Sequence, residues 1–237
     1  MRLLVLAGGF GTRLKTVVAD VPKALAPVGG VPFLQLQLAY WLAQGLREFT
    51  FLLHHQADQI IDFLQDQMDG QLKGCQVDWL VEPTPMDTGG AIAHAVKELG
   101  LNDDFLMTNA DTWLGGGIRE LMQSAAPAMA VVNLPDVSRY GQVHFDQSNH
   151  VTAFVEKTPL SAAGWINAGL CCLPSGLFNN WDGQPFSLER ELFATLVQNR
   201  SLTAIPLQAD FIDIGVPADY HCFCRWVEAG RQIPLCN

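Results

Sequence analysis

Short apolar runs alternate with stretches of helical period through the first two thirds of the chain. Residues 3–6 (Leu-Leu-Val-Leu) form a run apolar enough for a strand buried on both faces. Residues 33–44 place apolar side chains at helical spacing, and Gly45 suits the C-terminal cap. A strand is expected at 49–53, then an amphipathic helix at 57–68 with Ile60, Ile61, Phe63 and Leu64 turned inward. Residues 76–81 return as a strand, and Thr88 is placed as the N-cap of a helix through 99. Strand 105–108, helix 118–125 and strand 129–134 continue the alternation. The rhythm then shifts to short strands at 142–145 and 151–155 around the turn Asp146-Gln147-Ser148-Asn149. A strand at 166–173, a helix at 188–198, extended segments at 202–206 and 211–214, and a helix from Pro217 to about 227 complete the pattern.

This order predicts one α/β domain over 1–237, a three-layer α/β/α Rossmann-like fold with a mixed, mostly parallel central sheet. The halves are expected to divide near residue 135, with more antiparallel strand in the second. In such sheets ligands sit beyond the carboxyl ends of the strands. That rule gathers residues 8–13, 82–90, 109–111 and Asp213 at one rim.

Composition narrows the field. The 237 residues are 49% hydrophobic, enough for a large core, and carry 24 acidic against 14 basic side chains, a net charge of −10. Nucleic acid and anionic membrane surfaces are therefore poor partners, and each cation inside a motif carries more information. No apolar run is long enough to span a bilayer or to act as a secretory leader, so a cytoplasmic protein is expected. The six cysteines show no C-x-x-C pair and read as unpaired thiols.

The candidate chemistry begins after the first strand, at Ala7-Gly8-Gly9-Phe10-Gly11-Thr12-Arg13. Glycines this close let successive backbone N–H groups line a concave site for oxyanions. Arg13 adds a guanidinium fork suited to phosphate, and Lys23, behind Pro22, is a second cation for the same anion. The Walker loop spacing is absent, and a dinucleotide fingerprint from Gly9 fails at Leu14, which weakens an oxidoreductase reading. Glu82 precedes a strand-to-helix turn with Thr88, Gly89 and Gly90. Glycine there allows a flat base to lie against the backbone. Ionised Glu82 is acceptor-only, so it suits the N1–H and exocyclic amine of guanine better than uracil or thymine. Asp111 and Asp213 each follow an apolar strand and read together as a Mg²⁺ pair completed by substrate phosphate and water. His54 and His55, with no matching ligand cluster, read as structural.

The block from Leu6 to Arg13 with Pro22-Lys23 resembles the signature of the sugar-1-phosphate nucleotidylyltransferases, and residues 17–28 are most similar to the branch making GDP-D-glycero-α-D-manno-heptose. The resemblance covers residues 3 to about 220, and Phe211 to Tyr220 (FIDIGVPADY) follows the family pattern. Met86-Asp87 replaces the family's usual Leu-Gly, and Ala110 its usual Gly. The resemblance implies transfer from an NTP, GTP in that branch, to a sugar 1-phosphate, with Mg²⁺ as cofactor and pyrophosphate as the other product. A mannose or other hexose 1-phosphate with GTP, UTP or dTTP is the alternative within the family. A non-catalytic nucleotide-sugar sensor is the alternative outside it. By resemblance, Ala7, Gly8, Gly9, Gly11, Thr12, Glu82, Thr88 and Gly89 seat the nucleotide. Arg13 steadies the departing phosphates, Lys23 neutralises the phosphate under attack, and Asp111 and Asp213 hold the metal. Gly141, Glu156 and Asn167 hold the sugar, with Lys157 on its phosphate.

Overall fold

The computed structural model describes residues 1–14, 16–18, 20–155 and 162–231. Strand β1 (Leu3–Leu6) is buried, and a single 3₁₀ turn (Lys23–Leu25) leads into the small hairpin β2 (Pro27–Val28) and β3 (Val31–Pro32). Helix α1 (Phe33–Ala43), β4 (Glu48–Leu53), α2 (Ala57–Met68), β5 (Gln76–Val81), α3 (Asp87–Glu98) and β6 (Asp104–Asn109) follow the expected order. Then come β7 (Thr112–Leu114), α4 (Ile118–Gln123), β8 (Ala128–Leu134), β9 (Gln142–Phe145), β10 (Val151–Val155) and β11 (Gly164–Pro174). A π-helical turn (Leu188–Phe193) runs into α5 (Ala194–Gln198), and β12 (Thr203–Leu207), β13 (Phe211–Asp213) and α6 (Pro217–Glu228) end the described fold.

The main sheet runs β10-β9-β11-β6-β1-β4-β5, with β8 against β11 and β12 against β8. Strands β6, β1, β4 and β5 are mutually parallel, as apolar strands joined by helices require. Strand β11 then joins antiparallel to β6, β8 and β9, so the sheet is mixed. Two apolar layers flank it. On one face α1, α2 and α4 pack through Leu34, Leu38, Trp41, Ile60, Leu64 and Leu121. On the other, α3 and α5 contribute Ile92, Val96 and Leu196, joined by Phe193.

A third cluster lies outside the sheet. Leu14, Val18 and Ala26 pack with Phe33 of α1, Trp113 of β7, Ile212 of β13 and Phe223 and Trp226 of α6. It ties the segment after the first strand to the last helix. It also stacks β7 against β13 as a two-stranded antiparallel ribbon separate from the main sheet.

Three expectations are corrected in detail. The third helix starts at Asp87 with Met86 at its N-cap, two residues before the expected cap at Thr88, and has no side-chain cap. Thr88 does not cap it because its hydroxyl is engaged across the cleft, as described below. The segment 188–198 is a π turn before the helix, with Ser187 Oγ accepting from Arg190 N–H at its start. Cysteines 75, 171, 172 and 224 are free, but Cys222 is disulfide-bonded, because sequence spacing does not report which thiols folding brings together.

Candidate active site

The polar ends of β1, β4, β5, β6 and β13 open on two adjoining cavities, as the strand-end rule requires. One, of about 260 Å³, is lined by the loop 9–13, Lys23, Asp111 and Gly215. The other, of about 450 Å³, is lined by Gly8, Glu82, Met86, Thr88, Asn109 and Asp213 among others. Gly9, Phe10 and Asp111 belong to both, so the two are neighbouring compartments.

At their junction is a cluster of charge. Lys23 Nζ lies 2.5 Å from Asp111 Oδ2 and 3.1 Å from Asp213 Oδ1. The lysine side chain is only 11% exposed, against 35% and 31% for the aspartates. Backbone pairing brings the two acids together. In the β7–β13 ribbon Asp213 stands opposite Thr112, and Ile214 N–H donates to Asp111 O at 3.0 Å. Buried Gln37 of α1 then donates to the carbonyls of Thr112 at 2.8 Å and Asn109 at 3.3 Å, fixing the turn that carries Asp111. Gly215 N–H donates to Asp213 Oδ1 at 2.7 Å. A Cβ on Gly215 would fall 2.8 Å from both that oxygen and Lys23 Nζ, so any other residue there would push the charged ends of the cluster aside.

The glycine loop begins where Ala7 N–H donates to Leu52 O, extending the sheet by one bond. A Cβ on Gly8 would sit 3.1 Å from the Cβ of His54 and 3.2 Å from Glu82 Oε1, closer than ordinary contact. Gly11, at φ +59°, turns the chain, and Leu14 N–H donates back to its carbonyl. Thr12 and Arg13 are left on the exposed rim of the smaller cavity.

Glu82 lines the larger cleft. Its Oε2 accepts from Met86 N–H at 2.8 Å, and burial raises its carboxyl pKa above the ordinary value against the opposing pull of that bond. Gly89 does not line the cleft. Its missing side chain makes room for the Phe186 ring, which a Cβ would meet at 2.2 Å, and its N–H donates to Phe186 O at 2.9 Å. Helix packing, not a base lying flat, accounts for glycine there. Thr88 does line the cleft, but its hydroxyl donates to Glu189 Oε2 at 2.9 Å and accepts from Leu188 N–H at 3.0 Å.

The proposed sugar side is further out. Asn167 Oδ1 accepts from Gly169 N–H at the irregularity in β11, and Gly141 lies beside the Val155 carbonyl. Neither residue lines the two cavities. Glu156 and Lys157 lie outside the described residues. The neighbouring Tyr140 nonetheless belongs to the same electrostatic neighbourhood. Burial pushes its hydroxyl up to about 12, with Arg139 and Arg13 opposing and Asp219 and Asp213 adding to the rise.

Five residues at this site were given no binding role from the sequence, although the segments 8–13 and 109–111 had placed Phe10 and Asn109 at its rim. Asn109 and Glu189 line the larger cleft and Gly215 the smaller. His54, expected to be structural, also lines the larger cleft, with Nδ1 3.3 Å from Glu82 O. Phe10 is half exposed, with its ring against those of His54 and His55. An aromatic inside a glycine-rich loop was the available signal for Phe10.

An open mixed sheet with a glycine loop, two cations and two facing aspartates at its rim matches one class of protein. Residues 2–225 match the nucleotidyl transferase family, and the chain belongs to it. Among individual relatives, it is 31% identical over 225 residues to D-glycero-alpha-D-manno-heptose 1-phosphate guanylyltransferase of Campylobacter jejuni, covering 94% of this chain and 98% of that one. It is also 31% identical to the probable mannose-1-phosphate guanylyltransferase 1 of Oryza sativa, of which the match covers 63%. The solved structure of HddC from Yersinia pseudotuberculosis complexed with GMP-PN superposes with a TM-score of 0.82 at 32% identity, over 95% of this chain and 99% of that one. Among the described residues no helix is long and apolar enough to cross a membrane.

Proposed function

We propose that this nucleotidyltransferase takes GTP and D-glycero-α-D-manno-heptose 1-phosphate to GDP-heptose and pyrophosphate, with Mg²⁺ bound. The observation that carries the proposal is the Lys23 ammonium between Asp111 and Asp213, at the meeting of a phosphate-sized cavity and a base-sized cleft. The named relatives, two of them guanylyltransferases, support the base and sugar assignments. The donor set suits the metal. Two carboxylates that converge on one ammonium are within reach of one hard cation, whose remaining positions go to water and phosphate oxygens. When bound there, Mg²⁺ supplies charge neutralisation for the phosphates.

The protein's own residues do the remaining work. The attacking group is an oxygen of the sugar phosphate, already ionised at neutral pH, so no general base is required. It forms a bond to the α-phosphorus of GTP, and the bond to the β-phosphate bridge oxygen breaks, with pyrophosphate carrying away the electron pair. The task is alignment and compensation of charge. Lys23 exchanges a carboxylate for an oxygen of the α-phosphate, while Arg13, on the exposed rim, grips the departing phosphates. Gln37 and the Gly215 N–H keep the two aspartates placed throughout. Gly141, Asn167, Glu156 and Lys157 are assigned to the sugar phosphate by resemblance.

Pyrophosphate release from GTP and the heptose phosphate, before and after chelation of divalent metal, tests this reading. Release that stops on chelation and returns with Mg²⁺ is expected. Release unaffected by chelation would remove the metal role from Asp111 and Asp213.

A further inference from the structure

Part of the wall of the larger cleft comes from the second half of the chain. Met86 O accepts from Phe186 N–H at 3.2 Å, and Phe186 O accepts from Gly89 and Gly90 N–H at 2.9 and 3.3 Å. Thr88 Oγ1 accepts from Leu188 N–H, and Asp87 Oδ2 pairs with Arg190 Nη2 at 3.2 Å. Asp87 takes φ +58° at the position where the family pattern has glycine. Its other oxygen accepts from Thr88 N–H at 2.8 Å. With the Thr88–Glu189 hydrogen bond, six backbone or side-chain ties thus fasten residues 186–190 to residues 86–90.

The result is a further carboxylate in the cleft, which Asp87, Asp111 and Asp213 also line. Glu189 lines it together with Glu82. Its Oε2 is held by the hydroxyls of Thr88 at 2.9 Å and Ser187 at 3.3 Å. Its Oε1 makes no hydrogen bond with the described residues. Asp111 and Asp213 pair with Lys23 and Asp87 with Arg190, which leaves Glu82 and Glu189 as two acceptor-only groups that call for a ligand edge rich in donors. Guanine presents N1–H and both hydrogens of its exocyclic amine on one edge. Uracil and thymine present one imide N–H, and adenine and cytosine one amine.

Resting on the guanylyltransferase reading above, we infer that Glu189 is a specificity-determining residue that accepts from the exocyclic amine of guanine, with Glu82 taking N1–H. Thr88 and Ser187 are its positioning residues. Both hydroxyls hold one oxygen of the Glu189 carboxylate and leave the other for the base. The Arg190–Asp87 pair fastens the same wall, with the Asp87 carboxylate held by the guanidinium.

ITP tests this directly, because inosine keeps N1–H and lacks the exocyclic amine. The ratio of kcat/KM for GTP over ITP is measured for the wild type, Glu189→Gln and Arg190→Ala, all with the same sugar phosphate. The wild type is expected to prefer GTP by roughly ten- to a hundredfold, the worth of one hydrogen bond to a charged acceptor. Glu189→Gln places an amide donor against the guanine amine and is expected to bring the ratio to about one. Arg190→Ala loosens the same wall and is expected to lower GTP and ITP together, with the ratio kept. A wild-type ratio that survives Glu189→Gln would overturn the inference, as would a ratio lost equally in Arg190→Ala. Failure of the parent reading is distinct, since the wild type would then turn over neither purine triphosphate.

Discussion

The charge cluster and the base wall line the same cleft and are built in opposite ways. At the cluster, a lysine only 11% exposed satisfies two carboxylates, and a Cβ on Gly215 would displace their charged ends. Each group is placed by backbone pairing or a buried glutamine. At the wall, Asp87, Glu189 and Arg190 are exposed, and side-chain ties between two distant segments supply much of the order. A compact, partly buried cluster suits a role in which charge develops during reaction and misplacement is costly. An exposed, strapped wall suits a role in ground-state selection. Substitutions at the cluster should therefore lower kcat, and replacing the wall carboxylate that meets the base should redistribute kcat/KM among substrates.

The largest expected effects are at the cluster. Asp111→Ala, Asp213→Ala and Lys23→Ala should each lower kcat by on the order of a hundredfold or more, read by steady-state pyrophosphate release. Wild-type turnover in Lys23→Ala would remove that lysine from the mechanism. Gly215→Ala drives a methyl group into the lysine and aspartate ends, and should lower kcat about tenfold to a hundredfold with a smaller change in KM. A KM effect without a kcat effect would place Gly215 outside the reacting region.

Effects at the wall are smaller and of a different kind. Gly89→Ala forces the Phe186 ring to move and should destabilise the fold by about 1–3 kcal/mol, measured by thermal or denaturant unfolding. Unchanged stability would reopen the possibility that this glycine serves the nucleotide. Glu82→Gln should shift the kcat/KM preference from GTP toward UTP, and an unmoved ratio would mean that Glu82 does not read the base.

The smallest expected effect is in pH. Burial raises the Glu82 pKa, and only its ionised form is a pure acceptor. As pH falls through that raised value, the carboxyl protonates and KM for GTP should climb, at a higher pH than an ordinary carboxylate gives. Glu82→Gln should abolish this limb of the profile.

The same contrast explains what the sequence could convey. The parallel strands β1, β4, β5 and β6 were legible because each is a short apolar run bounded by helical period. The glycine loop, Lys23 and the two aspartates were legible because their residue types and strand-end positions are chemically restrictive. Strand β7 escaped because Thr112-Trp113-Leu114 has neither alternation nor length, and its partner β13 lies far along the chain. The wall escaped for a related reason. Glu189 reads as the solvated face of a helix, and nothing local reports that Phe186 exchanges backbone hydrogen bonds with Met86 and Gly89. Gly89 was placed at the right turn and given the wrong physical reason. Its neighbour Phe186 could not be inferred from spacing.

The most direct test of the account is pyrophosphate release with Mg²⁺, crossing GTP, UTP, dTTP, CTP and ATP against heptose, mannose, glucose and N-acetylhexosamine 1-phosphates. The account predicts release with GTP and D-glycero-α-D-manno-heptose 1-phosphate, well above every other pair. Release with a different pair would keep the charge cluster and contradict the base and sugar assignments. Absence of release with any pair, from folded protein that still binds nucleotide, would contradict the central claim and favour a nucleotide-sugar sensor.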